Sequence, residues 1–145
     1  MRIAFLTDIH GNMEALDAAL AAVDNLSADR LVILGDLVGY GPDPVAVVER
    51  VSNLVEQGAV CIKGNHDHAA CTSGAGMTEN ARIAIDWTRL QLRGPHIDYL
   101  AALPMAVRDQ DQLYVHASAH KPESWPYMRS VEAARKSLDA TEARL

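Results

Sequence analysis

The sequence predicts one α/β domain over residues 1–145. Three observations carry that reading. Three short apolar runs, Ile3-Ala4-Phe5-Leu6, Leu31-Val32-Ile33-Leu34 and Ala59-Val60-Cys61-Ile62, each break off at a polar turn. Segments with apolar residues at helical spacing separate these runs, the alternation expected when helical crossovers join parallel strands. No linker, repeat or low-complexity stretch divides the chain, and 49% apolar residues suffice for a real core.

Each element has a local reason. The first run reads as a buried strand ending before Asp8. Leu16, Ala19, Leu20 and Val23 then recur at helical spacing. After the second strand, Asp43 suits an N-cap, Pro44 the first helical position and Gly58 the stop, with Val47, Val48, Val51, Leu54 and Val55 as the buried stripe. A third helix is expected from about Thr78 to Arg93, with Trp87 and Leu90 in the core, and a short one from Ile97 towards Pro104. Met105-Ala106-Val107 and Gln112-Leu113-Tyr114-Val115 flank Arg108-Asp109-Gln110-Asp111 and predict a hairpin. Ser130 to Leu145 predicts a helix with Val131, Ala134 and Leu138 on one side. Cys61 is read as a core residue, His68 as a loop residue and His96 as a surface residue.

Composition narrows the function classes. A formal charge of -6 argues against a nucleic-acid binder, which normally shows a basic face, and leaves small phosphate substrates open. The start of the chain predicts neither a signal peptide nor a membrane span. Two cysteines make no disulfide framework, so a reducing, cytoplasmic setting is expected. There is no Gly-x-x-x-x-Gly-Lys-Ser/Thr loop, and Gly35, Gly39 and Gly41 are spaced wrongly for Gly-x-Gly-x-x-Gly. Neither cysteine has an arginine six positions on, which excludes a cysteine phosphatase. His66-Asp67 follows a strand exit rather than sitting on a helix, which argues against a His-Asp helical phosphohydrolase.

In open α/β sheets ligands bind beyond the carboxyl ends of the strands, and the unusual residues of this chain fall there. Asp8 with His10, Asp36, Asn65 with His66, and His116 offer two carboxylates, three imidazoles and one amide. Oxygen and nitrogen donors without thiolate suit manganese, iron, zinc or a similar divalent ion. Two such ions make a pocket cationic, orient a phosphoryl group and acidify a water, so hydrolysis of a phosphoester is the chemistry suggested. Singly, these residues have plainer uses: Asp8 could cap the following helix, and Asp36 and Asn65 could be turn residues beside glycine.

Asp8-Ile9-His10, Gly35-Asp36 and Gly64-Asn65-His66-Asp67, in that order and at those intervals, resemble the calcineurin-like metallophosphoesterase superfamily. Gly35-Asp36-Leu37-Val38-Gly39-Tyr40-Gly41-Pro42-Asp43-Pro44, Tyr99-Leu100 through Leu103-Pro104, and Val115-His116-Ala117-Ser118 are similar to its small bacterial phosphodiesterase branch. The resemblance implies a four-layer α/β/β/α sandwich. It implies that Asp8 and His10 hold one metal ion, that Asp36 bridges, that Asn65 and His116 hold a second, and that His66 faces the phosphate as acid or charge stabiliser. The ions implied are manganese or iron, with zinc, nickel, cobalt or magnesium as alternatives.

Two departures qualify the resemblance. The protein Ser/Thr phosphatases of the superfamily continue from the bridging aspartate into Val-Asp-Arg-Gly, where this chain has Val38-Gly39-Tyr40-Gly41. The carboxylate that orients the histidine and the arginine that grips phosphate are therefore missing, which favours a small phosphoester or nucleotide substrate over a phosphoprotein. The family also closes its site with a Gly-His-x-His block, whereas only His120 follows His116 here. The resemblance thus implies an incomplete sandwich, a first sheet with part of a second, lacking the C-terminal part of the family domain. Such a chain leaves an apolar sheet face and an open edge, which predicts homo-oligomers through them. It also leaves a second function class open, a binding or scaffold module on the phosphoesterase fold without turnover.

Overall fold

The computed structural model describes residues 1–141. Strands β1 (Ile3–Leu6), β2 (Arg30–Ile33) and β3 (Val60–Cys61) form a parallel sheet in the order β1-β2-β3. Helices α1 (Met13–Asn25) and α2 (Pro44–Glu56) make the two crossovers. Three helices follow, α3 (Asn65–Cys71), α4 (Glu79–Gln91) and α5 (Gly94–Ala102). A hairpin of β4 (Ala106–Asp109) and β5 (Gln112–Val115), a 3-10 turn over Pro122–Ser124 and α6 (Val131–Asp139) complete the described chain. The last four residues of the expected tail helix, 142–145, lie outside the described residues.

The core joins Ile33 of β2 to Leu16 and Leu20 of α1, Val47, Val48 and Val51 of α2, Ile85 of α4 and Leu100 of α5. Full removal of such side chains from water is worth about 1.5–3 kcal/mol each, the main force holding helices to sheet. Asn12 caps α1 by accepting from Ala15 N at 2.9 Å, which frees Asp8 from the capping role it could have taken. Asp43 occupies the N-cap position of α2 without a side-chain capping bond, and Pro44 opens the helix.

Several expectations need correction. β1 is not a buried strand: it is an edge, and Phe5 is 52% exposed, its ring meeting Tyr114 of the hairpin edge-on at 5.9 Å between centroids. Trp87 (41% exposed) and Leu90 (82%) lie outside the core, because α4 buries the face carrying Ala81, Ile85 and Thr88. Arg108 and Asp109 belong to β4, where Asp109 pairs with Arg30, so the hairpin turn shrinks to Gln110-Asp111. No residue of α6 is buried, and Val131 and Leu138 are exposed. His96 is half-buried: its Nδ1 accepts from Arg93 N at 3.1 Å, and Nε2 lies 3.3 Å from Glu49. His66-Asp67 and His68 lie on a helix after all, the short α3. The parallel sheet that α3 follows, rather than the absence of helix, is what separates the pair from a His-Asp helical site.

Candidate metal centre

Strand register places the site. Leu6 pairs with Ile33 and Ile33 with Cys61, so the three strands end level and their exit loops emerge side by side. The loops remain hydrogen-bonded beyond the sheet: Asp8 N donates to Gly35 O (3.1 Å), His10 N to Asp36 O (2.9 Å) and Gly11 N to Leu37 O (2.7 Å). This lattice holds Asp8, His10 and Asp36 in left-handed backbone conformations, φ 55°, 51° and 53°. Each such conformation costs about 1 kcal/mol or more and persists only where the surroundings over-determine it. Close packing of the loops also requires glycine. A Cβ on Gly64 would lie 2.1 Å from Asp36 Oδ1, so the Gly64-Asn65 turn can approach the carboxylate only without a side chain.

All six residues expected at the site come together. His10 Nε2 lies 3.6 Å from Asp8 Oδ1 and 3.8 Å from Asp36 Oδ2. His116 Nε2 lies 3.6 Å from Asp36 Oδ2 and 3.0 Å from Asn65 Oδ1. His66 donates its backbone N–H to Asp36 Oδ1 at 2.8 Å. The donors form two groups, His10-Asp36-His66 and Asp8-Asp36-His116, with ligand atoms within 4.8 Å of one another in each. Asp36, 3% exposed, belongs to both. His120 belongs to neither.

The two outer histidines are oriented from behind. A carbonyl can only accept, so His10 Nδ1–H donates to Val38 O at 3.1 Å and His116 Nδ1–H to Leu34 O at 2.7 Å. That commits each Nε2, as a lone-pair donor, to face the carboxylate and amide oxygens. Acceptor atoms converging on one another repel in isolation and are satisfied by a cation, so this donor set fits divalent metal ions. Burial pushes the Asp36 carboxyl above its usual range, and Asp8 adds to this, while His116, the His66 N–H and His10 pull it back.

His66 is set apart from the other imidazoles. Its Nδ1 is buried without a hydrogen-bond partner among the described residues. Gly39, at φ 90°, explains this: a Cβ there would lie 2.5 Å from His66 Nδ1, so the position that carries an orienting carboxylate in the protein phosphatases contacts the ring with bare backbone. Burial, reinforced by His10, lowers the His66 pKa to about 4. Tyr40 packs against the ring at 4.8 Å, tilted, and edge-on against His10 at 4.9 Å between centroids. Because the folded pKa lies below the ordinary 6.5, His66 contributes stability to the metal-free protein that is lost as pH falls from 6.5 towards 4, about 3 kcal/mol, while the buried carboxyls of Asp67, raised to about 7, and Asp36, also raised, contribute in the opposite direction. Chemical denaturation of chelated protein at pH 7 and pH 4.5 checks this. The change in stability between the two pH values should be less unfavourable in His66→Gln than in the parent, and an identical change in the two proteins would remove His66 as a contributor.

Two contributors escaped the sequence reading. Asp67 is fully buried and accepts from Leu37 N (2.8 Å), Val38 N (3.3 Å) and Gly64 N (2.9 Å), tying the exits of β2 and β3 together. Its position next to the Asn-His pair was the available signal. Trp125, beyond the last expected strand, borders His116 with ring centroids 5.8 Å apart.

Comparison with known proteins identifies the fold. The model of the calcineurin-like phosphoesterase family matches residues 1–139. The crystal structure of a metallophosphoesterase from Sphaerobacter thermophilus superposes with a TM-score of 0.82 at 37% identity, over 99% of this chain and 57% of that one. An uncharacterized protein of Methanocaldococcus jannaschii is 31% identical over 132 residues, 87% of this chain and 53% of its own. A symmetrical bis(5'-nucleosyl)-tetraphosphatase of Chromohalobacter salexigens is 32% identical over 135 residues, 91% of this chain and 48% of its own. The chain spans about half the length of the curated relatives it matches. A match running from β1 to the end of α6 leaves one conclusion: the chain belongs to the calcineurin-like phosphoesterase family.

Proposed function

We propose that the chain hydrolyses phosphoester bonds of small phosphoesters or nucleotides with a dinuclear centre of divalent cations, manganese or iron. In this reading Asp8 and His10 hold one ion, Asn65 and His116 the other, and Asp36 both. The observation that carries it is that two donor groups share buried Asp36, with the Nε2 atoms of His10 and His116 aimed at oxygens; Asp8, which groups with His116, also lies 3.6 Å from His10 Nε2, and Asn65 Oδ1 lies 3.0 Å from His116 Nε2. Divalent ions there would supply positive charge for the non-bridging phosphoryl oxygens and acidify water. A small substrate is supported by the tetraphosphatase relative, which acts on a bis-nucleoside polyphosphate, and by Gly39 and Tyr40 standing where the protein phosphatases carry aspartate and arginine.

The chain's own groups do the rest. The Nδ1 atoms of His10 and His116, bonded to Val38 O and Leu34 O, keep the ligand nitrogens aimed. His66 Nδ1 is buried without a partner among the described residues, so the hydrogen of the neutral ring belongs on Nε2, where it can donate a hydrogen bond that stabilises the leaving oxygen. Replacing His66 by Gln should lower turnover roughly 10²- to 10⁴-fold with metal content retained. Because His66 also shares a donor group with His10 and Asp36, metal content falling in parallel would make it a ligand instead.

No helix among the described residues is long and apolar enough to cross a membrane. Cys61 and Cys71 are free, which supports a reducing, cytoplasmic setting. Self-association through the β1 face is part of the same reading. A cleft of about 490 Å³ beside exposed Phe5 is lined by Ile3, Leu34, Leu113, Tyr114 and Leu138 together with polar residues such as Asp111 and Gln112, a largely apolar surface of the kind that pairs. Light scattering across a concentration series should show mass above the monomer, reduced by Phe5→Lys; a monomer at all concentrations would rule the pairing out.

A further inference from the structure

A second cavity opens directly beside the metal donors. It has a volume of about 530 Å³ and is lined by Asn65 and His66 at its inner end and by Tyr40, Trp125, Tyr127 and Arg129 among others. The chain holds two Trp, four Tyr and one Phe, so three of its seven aromatic side chains gather here, outside the core. Tyr40, 55% exposed, borders the His10-His66 side, and Trp125 borders the His116 side. Tyr127 is 73% exposed and carries the Arg129 guanidinium 4.7 Å from its ring centroid. A smaller cleft of about 240 Å³ lies along Asp8, His116, Trp125 and Tyr127. Ligand pockets start near 300 Å³, so the larger cavity is the one sized for an organic group and the smaller one suits water or a departing phosphate.

We infer that this cavity is a nucleobase subsite, in which Tyr40, Trp125 and Tyr127 receive the planar base of a nucleoside phosphoester whose phosphoryl group sits at the donors of Asp36 and His116. The inference rests on the phosphoesterase reading and adds the part of the substrate that the donors do not touch. Exposed aromatic faces are poor partners for water and good ones for a π-system, and they accept any base because every base has a flat face. Arg129 extends the stacking surface through its planar guanidinium and brings positive charge to the rim of a chain with formal charge -6, where a phosphate-bearing ligand must approach. A ring contact joins each wall to a metal-site histidine, so base and phosphoryl lie within one nucleotide's span of each other.

Tryptophan emission tests the subsite separately from turnover. Trp87 lies on α4 and lines neither cavity, so Trp87→Phe leaves Trp125 as the single tryptophan reporter. Titration of this variant in manganese with AMP and with ribose 5-phosphate compares ligands that differ by the base alone. AMP should quench Trp125 saturably and bind at least about 10-fold more tightly than ribose 5-phosphate, the increment expected of base stacking. Tyr127→Ala, at an exposed position, should weaken AMP roughly 5- to 100-fold and leave ribose 5-phosphate unchanged; Tyr40→Asn, chosen because asparagine tolerates the φ of 66° at that position, also touches His10 and His66 and should weaken AMP by a larger factor than ribose 5-phosphate. Equal affinities for the two ligands, or AMP binding indifferent to both variants, would overturn the subsite. AMP binding through its base without phosphoester turnover would uphold the subsite and sink the hydrolytic reading. Turnover with no preference for AMP would do the reverse.

Discussion

Asp36→Asn is expected to abolish metal-dependent stabilisation and turnover while leaving the fold intact. Asp36 is the one side chain common to both donor groups, and it is buried, so its negative charge has no solvent to replace a lost cation. The asparagine oxygen can still accept the His66 N–H that Asp36 Oδ1 now receives at 2.8 Å, which keeps β3 and α3 in place. Burial already pushes the Asp36 carboxyl above its ordinary range, so the neutral amide should make the chelated protein as stable as the parent or slightly more so. The difference appears on adding manganese. At a hundredfold excess over Kd, binding to the folded state adds about 2.7 kcal/mol, a rise in Tm of roughly 8 °C for a chain of this length. The parent should show it and Asp36→Asn should not. Equal shifts in the two proteins would remove Asp36 from the metal site.

Asp67→Ala should be the most destabilising single substitution near the site, by about 4 kcal/mol, lowering Tm by roughly 10–15 °C. The carboxyl has no contact with solvent and accepts three backbone N–H groups from two loops, at Leu37, Val38 and Gly64. Removing it leaves three buried donors unpaired, each costing about 1–3 kcal/mol before relaxation. Asp67→Asn should cost about half as much, since one amide oxygen can keep the Leu37 and Val38 bonds while the NH₂ group meets the Gly64 N–H donor to donor. Thermal or urea denaturation of the three proteins orders them. Asp67→Ala as stable as the parent would mean that water replaces the lost acceptor and that Asp67 does not hold the loops together.

Much of the fold and most of the site were legible because backbone chemistry marked them. Glycine beside Asp36 and Asn65 signalled turns at strand ends, and level strand ends bring those turns together whatever the details of packing. Helices α1, α2 and α4 followed from apolar periodicity. What was not legible depended on tertiary contacts. Asn65-His66-Asp67-His68 has weak helix formers and no apolar stripe, and it becomes α3 because Asp67 turns back onto Gly64 N. Phe5 reads as buried in any strand pattern, yet β1 is an edge strand and its Phe5 stays half exposed beside Tyr114 of the hairpin. Trp87 and Leu90 share a helical face, but Ile85 and Thr88 define the face that packs. Trp125, with φ 51° after a 3-10 turn, lies in a segment without periodicity, so nothing in its neighbourhood announced contact with His116.

Phosphoester hydrolysis itself is the most direct test of the centre proposed at Asp8, His10, Asp36, Asn65, His66 and His116. The measurement is turnover of p-nitrophenyl phosphate and its bis ester with added manganese, before and after chelation, beside an Asp36→Asn control. Manganese-dependent release of nitrophenol that disappears on chelation and in the control is the expected result. Manganese binding with no release above the control would contradict hydrolysis and leave a binding module on the phosphoesterase fold.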